Sequence, residues 1–430
     1  MLGYEFLKRN EEGNLSISGC DCVKLARKYG TPLYVMDEDE IRKRCRDIKR
    51  NHIDKYEGLA VYASKAFLNK EMCRIIESEG LGLDVVSGGE LYTAHSVNFP
   101  MEKIIFHGNN KTFEELEMAV DYGVGTIAAD NFFEIKNLEE ILKSKNKKMN
   151  IIVRITPGID CKTNEYIKTG QVDSKFGFSL CDGSALKAIE QIVNCKNFVF
   201  EGLDAHIGSQ LTENSVYEKE VKVFAVFANN IRKKFGCEVK KIDVGGGFGI
   251  FYAKGDKRFN VSYFTDLINE TVIKEFEKYN LKKPTVIIEP GRWIAGETGI
   301  TLYTIGSIKE IKGIRKYISV DGGMTDNPRQ ALYGAEYSAV IASKKEESSS
   351  ETVTVAGKCC ESGDILIKDI ELPTVNSGDI IAVLSTGAYN YSMASNYNRI
   401  RKPAVVMVKG SSDRLIVKRQ SYEEILSDDI

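Results

Sequence analysis

Between residue 37 and about residue 290, short apolar runs alternate with charged segments of helical period. Eight of the apolar runs have the length and composition of strands: 59–64 (LAVYAS), 82–86 (GLDVV), 104–107 (IIFH), 125–129 (GTIAA), 150–155 (NIIVRI), 200–206 (FEGLDAH), 240–244 (KKIDV) and 285–289 (TVIIE). Amphipathic stretches such as "NKEMCRIIESEG", "TFEELEMAVDYG" and "DGSALKAIEQIVN" lie between them, and a further helix, "DEDEIRKRCRDIKRN", precedes the first. Strands separated by helices pair in parallel through right-handed crossovers. Eight such units predict an α/β fold, a closed (β/α)8 TIM-like barrel over residues 37–290. An open doubly wound sheet is the alternative arrangement of the same units.

After about residue 300 the rhythm changes. "GITLYTIGSIKEI", "KYISVDGG", "EYSAVIASK", "ETVTVAGK", "DILIKDIEL", "GDIIAVLST", "PAVVMVKG" and "DRLIVKRQ" alternate with turn residues and few helices. That pattern predicts a mostly antiparallel β-sandwich or barrel. The N-terminal segment "GYEFLKRNEEGNLSISG" carries its own turn and is expected to pair into it, so that residues 1–36 and 291–430 make one β-domain. "KKEESSSET" (344–352) reads as a polar loop, and no internal repeat is visible.

Composition narrows the function classes. The chain has 430 residues, of which 43% are hydrophobic and 28% charged, as in a globular protein. Lys+Arg at 59 against Asp+Glu at 61 gives a net charge of −2, which favours neither nucleic acid nor an anionic membrane. "MLGYEFLKRNEEGN" lacks the apolar core of a signal peptide, and no apolar run is long enough to span a bilayer, so a cytoplasmic protein is expected. Ten cysteines without a Cys-x-x-Cys pair make neither a disulfide framework nor a zinc site, and four histidines with no helical pair argue against a metal enzyme.

The candidate chemistry lies at strand ends, where a barrel of this kind keeps its active site. "VYASKAF" ends an apolar strand on Lys65, a charge that must be solvated, paired or engaged covalently as a Schiff base. A structural lysine reaching solvent would leave the same trace. Asp84, near the end of the second strand, could pair with a neighbouring cation or cap a helix. "LDAHIGSQ" places His206 and Ser209 at the sixth strand end, as a ring face and a phosphate donor or as a satisfied core histidine. "IDVGGGFG" lets backbone N–H groups converge on an anion through three consecutive glycines, Gly245, Gly246 and Gly247, though such a run also suits a tight turn. "IIEPGRW" brings Glu289, Pro290, Gly291 and Arg292 beside that cradle, because strands seven and eight are neighbours.

A Schiff-base lysine, a flat ring contact, a phosphate cradle and a carboxylate to hold a pyridinium nitrogen are what pyridoxal 5'-phosphate requires. In the β-domain, Arg329, Tyr333, Glu361 and Tyr389, with Arg292, form a polar set suited to an amino acid charged at both ends. Taken singly, each also reads as a solvated surface group. Cys360, in "CCESG", is either a small buried hydrophobe or a thiol that gives a proton to a carbanion.

Taken in order, "YASKA", "HIGSQ", "DVGGGFG", "EPGR", "DNPRQALYGA", "CESGD" and "GAYNYSMASNYN" resemble the meso-diaminopimelate decarboxylases, fold-type III pyridoxal-phosphate enzymes. The resemblance implies that Lys65 carries the cofactor, His206 stacks on its ring and Glu289 pairs with its nitrogen. Ser209, Gly246, Gly247 and the 289–292 segment, with Pro290, Gly291 and Arg292, would surround the phosphate. Asp84 and Tyr389 complete the expected cofactor contacts. Arg292, Arg329 and Tyr333 would hold the distal carboxylate of the substrate, Glu361 its distal ammonium, and Cys360 would protonate the carbanion. Tyr389 would touch cofactor and substrate. In this family Cys360, Glu361 and Tyr389 come from the partner subunit, so a homodimer with shared sites is implied.

Other families fit less of the chain. A racemase of this plan sets an arginine where Glu289 stands, and ornithine-type enzymes usually have an aspartate where Glu361 follows Cys360. Carboxynorspermidine decarboxylases lack the full motif set. A pyridoxal-phosphate carrier leaves the β-domain unexplained, and a phosphosugar isomerase leaves Lys65 unexplained.

Overall fold

The computed structural model describes residues 3–158, 173–343 and 350–430, so most of the polar stretch 344–352 lies outside the described residues. The chain forms two compact units: Arg44–Gly249 with Arg258–Trp293, and the residues up to Lys43 with Ile250–Lys257 and Ile294–Ile430.

The first unit is a closed, all-parallel barrel. Its strands are Leu59–Ala63, Gly82–Val85, Ile104–Phe106, Thr126–Ala129, Met149–Thr156, Phe198–Asp204, Lys241–Asp243 and Thr285–Ile288. They pair in chain order, and the eighth closes on the first through Ile287 opposite Leu59 and Ile288 opposite Ala60. An extra two-residue strand, Phe178–Ser179, pairs in parallel with the fifth. Most of the barrel strands end a residue or two before the apolar run does; Lys65 sits in a 3₁₀ turn, Ser64–Ala66.

The intervening helices are set by local chemistry. Asn69 caps Lys70–Ser78 by accepting from the N–H groups of Glu71 and Met72, and Thr112 with Glu115 forms a capping box on Phe113–Tyr122. The helix Lys70–Ser78 buries Met72, Cys73, Ile75 and Ile76, the stripe that a 3.6-residue period lays against a sheet. Inside the barrel Val61, Ile105, Ala128, Ile152 and Ile287 pack as one apolar plug. Burying a side chain of this kind contributes about 1.5–3 kcal/mol.

The second unit is a mostly antiparallel β-structure. Its long strand Gly299–Ile311 pairs with Leu33–Asp37, Ile380–Val383 and Arg315–Val320. Parallel pairs occur between Leu33–Asp37 and Ala404–Lys409 and between Arg315–Val320 and Ser350–Ala356. The N-terminal segment does not pair into this sheet. Leu7–Arg9, Leu15–Ile17 and Cys20–Asp21 make a three-stranded sheet of their own, and their apolar side chains join the core around Leu33, Ile300, Leu302 and Val406.

The unit boundary falls after Lys43 instead of residue 36. The physical reason is Glu38, which opens the helix Glu38–Ile48 yet is held by Lys409 at 2.9 Å and by Arg414. Residues 250–257 go with the β-unit because Phe251 lies in its apolar core and Tyr252 packs edge-on against Tyr337. Among the described residues no helix is long and apolar enough to cross a membrane.

Candidate active site

Strand period two builds the barrel mouth. Alternate residues face inward, so the positions two beyond Ile105, Ile152 and Ile287 in the apolar plug are His107, Arg154 and Glu289. Asp204 lies level with Arg154 on one side and Asp243 on the other. Asp84 is opposite Ala63. All of these polar groups are buried. A layer of charge therefore sits directly above a layer of hydrocarbon.

Lys65 leads into this layer. Its Nζ stands 3.7 Å from Asp84 Oδ2, with 39% of the lysine side chain exposed and 1% of the aspartate. The partnership explains how an apolar strand can end on an ammonium. Both oxygens of Asp84 lack a hydrogen-bond donor, and burial, then the charge of Glu289, pushes its carboxyl up. Burial would also raise Glu289. The charges of His107 and Lys65 win, and hold that carboxyl well below the usual range.

His206 is the opposite case. Burial and then the Lys65 charge push it down to about 3, so it is neutral at ordinary pH. Its Nδ1 accepts from the Gly246 N–H at 3.3 Å, which fixes the tautomer. An uncharged imidazole face is thereby presented at the sixth strand end.

The glycines are required by close approach. A Cβ on Gly246 would lie 2.1 Å from Glu289 O, and one on Gly247, at φ +87°, 2.3 Å from Gly208 O. The eighth strand reaches the same place: Arg292 Nη2 donates to Ser209 Oγ at 2.8 Å. Gly291 packs on Ala63 and Ala66, so Pro290 and Gly291 run along the turn that carries Lys65. An amine, a neutral ring, a backbone cradle with a hydroxyl and a guanidinium, and an ionised carboxylate thus share one barrel mouth. The ionised Glu289 carboxylate and the glycine cradle with Ser209 and Arg292 fit a ligand that brings a basic ring nitrogen and a phosphate, as pyridoxal phosphate does.

The remaining candidates belong to the β-unit. Arg329, on the short helix Arg329–Tyr333, is buried, donates to Tyr337 Oη at 2.7 Å and lies 4.9 Å from the Tyr252 ring. Tyr333 is half-buried at the end of that helix. The two neighbouring cysteines differ. Cys359 is buried, its thiol pushed up to about 11 by burial and Asp364, while Cys360 is exposed and donates its N–H to Asn398 Oδ1 at 2.8 Å. Glu361 is exposed as well. Tyr389 holds a left-handed backbone at φ 64°, a strained conformation for a non-glycine residue.

Residues 38–296 match the family described as "pyridoxal-dependent decarboxylase, pyridoxal binding domain". The chain belongs to the pyridoxal-dependent decarboxylases. Within that family this decarboxylase is 46% identical to the diaminopimelate decarboxylase of Bacillus subtilis, over 98% of this chain and 97% of that one. It is 49% identical to the diaminopimelate decarboxylase of Bacillus methanolicus over 96% of each chain. The crystal structure of diaminopimelate decarboxylase from M. jannaschii superposes with a TM-score of 0.93 at 34% identity, covering 100% of this chain and 99% of that one. The same protein has been solved in complex with L-lysine.

Four further polar residues of the decarboxylase mouth were not singled out by sequence motifs: His107, Arg154, Asp204 and Asp243. Each extends the inward parity of its strand by one step, in "IIFH", "IIVRI", "LDAH" and "KIDV". Following that parity to the end of each strand would have found them.

Proposed function

We infer that this chain is a diaminopimelate decarboxylase: it takes meso-2,6-diaminopimelate to L-lysine and carbon dioxide, the last step of lysine biosynthesis. The observation that carries the reading is Glu289, a carboxylate held ionised at the mouth of the barrel that also holds Lys65 and the glycine cradle. An arginine in that place would suit a racemase; a carboxylate suits a decarboxylase.

Lys65 Nζ would hold pyridoxal phosphate covalently, with Asp84 beside it, His206 against the ring and Glu289 at the ring nitrogen. Ser209, Gly246, Gly247, Pro290, Gly291 and Arg292 would take the phosphate. When bound, the cofactor supplies an electron-withdrawing ring for the pair left on Cα as carbon dioxide departs. The chain's own residues supply orientation and protons. Arg292, Arg329 and Tyr333 fix the distal carboxylate of the substrate; Arg329 is suited to this by its rigid cage of Tyr252 and Tyr337. Glu361 takes the distal ammonium, Tyr389 touches both cofactor and substrate, and Cys360 Sγ holds the proton delivered to Cα. Cys360, Glu361 and Tyr389 act in the site of a partner subunit, so the working form is a cytoplasmic homodimer. Exposure of Cys360 and Glu361 on the single chain supports this.

The test is product formation. Purified protein supplied with pyridoxal phosphate is given meso-diaminopimelate, with ornithine, arginine and carboxynorspermidine in parallel, and lysine is sought by mass spectrometry. Lysine from diaminopimelate alone is expected. Turnover of another diamine precursor instead would overturn the roles given to Arg329 and Glu361.

A further inference from the structure

His107 follows the third barrel strand and is buried, its backbone N–H donating to Val85 O at 2.8 Å. Its ring is flanked on both sides. Nε2 stands 2.9 Å from Glu289 Oε1, and Nδ1 stands 3.5 Å from Asp204 Oδ2, as charge contacts and not as aligned hydrogen bonds. A neutral imidazole has one N–H and one lone pair. With a carboxylate at each nitrogen, the neutral ring would turn that lone pair on one of them.

The groups around the ring favour a cation. Asp84 from the second strand closes on His107 and Glu289, and Asp243 from the seventh strand closes on Asp204 and Glu289. Glu220, on the helix Ser215–Phe235, adds a buried carboxyl that feels Asp204 and Asp243. Against these acids stand Lys65, beside Asp84, and Arg154, with Nη1 3.5 Å from Asp204 Oδ2. His206 adds no charge, because its Nδ1 is an acceptor. Among the described residues the acids of this layer outnumber its permanent cations.

We propose that His107 is a positioning residue: clamped as an imidazolium between Glu289 and Asp204, it keeps the Glu289 carboxylate ionised and available to the cofactor's ring nitrogen. The inference rests on the pyridoxal-phosphate reading given above. The direction of titration agrees with the geometry. Burial pushes His107 down, but Glu289, Asp84 and Asp204 together carry it well above its ordinary range. Burial and then the neighbouring carboxylates push Asp243 and Glu220 up, the opposite direction to Glu289.

The first measurement needs neither turnover nor a His107 variant. The chain has four histidines, so ¹⁵N-histidine labelling gives a spectrum in which His107 is assigned by elimination from His52→Gln, His95→Gln and His206→Gln. Both ring nitrogens of His107 should stay protonated from about pH 6 to about pH 9, without and with pyridoxal phosphate. A neutral tautomer, or a titration inside that window, overturns the proposal.

The second measurement is the pH profile of His107→Gln with bound cofactor. Without the cation the Glu289 carboxyl titrates higher and takes up a proton as the pH falls. The kcat of the variant should lie about tenfold below wild type at about pH 6.5 and recover to within about threefold by about pH 9. A loss equal at every pH, or no loss, would mean a structural role only and overturn the proposal. Protein that binds no pyridoxal phosphate would overturn the functional reading and the role with it, while the ring's protonation is still decided by the first measurement.

Discussion

Two buried histidines, His52 and His107, stand at opposite ends of the same barrel. At the N-terminal ends of the strands, His52 Nε2 lies 3.2 Å from Leu59 O and 3.1 Å from Val286 O, and its Nδ1 meets Asn269 Nδ2 at 3.1 Å. Its contacts are neutral peptide and amide groups, and they join the first strand to the eighth where the barrel closes. At the C-terminal ends, His107 is set among charges, and both oxygens of neighbouring Asp84 lack a donor. Burial costs a polar group the same desolvation at either end. At the base the protein itself answers that cost, so the arrangement holds the fold together. At the mouth the oxygens of Asp84 have Lys65, 3.7 Å away, to offset that cost and no hydrogen-bond donor. Function and stability are thereby placed at different ends of one set of strands.

Substitutions at the two ends should separate these effects. The largest is expected at the mouth: Lys65→Ala should lower lysine formation by about 10³-fold or more, while the thermal midpoint of the cofactor-free protein hardly moves. Comparable losses in both would mean that Lys65 is structural and the contrast false. The neighbouring cysteines repeat the contrast in miniature. Cys360→Ala should lower kcat about 100-fold in steady-state assays, and Cys359→Ala by about threefold or less. The reverse ranking would assign the proton to the buried thiol.

At the base, His52→Ala should cost about 2–4 kcal/mol in urea denaturation, with kcat per folded molecule unchanged. The smallest effect is a slope. Burial pushes His52 down to about 4, below its ordinary value. A group whose charged form is disfavoured by folding binds its proton more readily when unfolded, so its contribution to stability is complete above about pH 6.5 and is lost as the pH falls toward 4. Between those limits wild type should lose up to about 3 kcal/mol more than His52→Gln. Parallel stability curves for the two proteins would remove His52 from the account of the base.

The legible residues share a property: their type at a strand end already narrows the chemistry. A lysine closing "VYASKAF", three glycines in "DVGGGFG" and a glutamate opening "EPGR" are each odd for the strand they finish, and the oddity shows without any partner. His107 closing "IIFH" is no odder than a core histidine, and only the proximity of Glu289 and Asp204 gives it a role. Nor does "CC" say which thiol is exposed; Asp364, whose Oδ2 accepts from the Cys359 N–H at 2.8 Å, helps turn that residue inward. The N-terminal segment shows the same limit. Its alternation predicts strands, but the closing of Leu7–Arg9 on Leu15–Ile17 by a local turn leaves Leu33–Asp37 to join the large sheet.

By itself the sequence determined the alternation of strands and helices, the change to β-structure after the barrel, and the residue types available at each strand end. These depend on local periodicity and on backbone freedom, which a short stretch of chain already carries. Only the tertiary structure decided which ends meet and which of their groups are ionised. Closing the eighth strand on the first and burying six strands' worth of polar ends in one mouth sets distances and desolvation together, and the charge on His107, Glu289 and His206 follows from those two quantities.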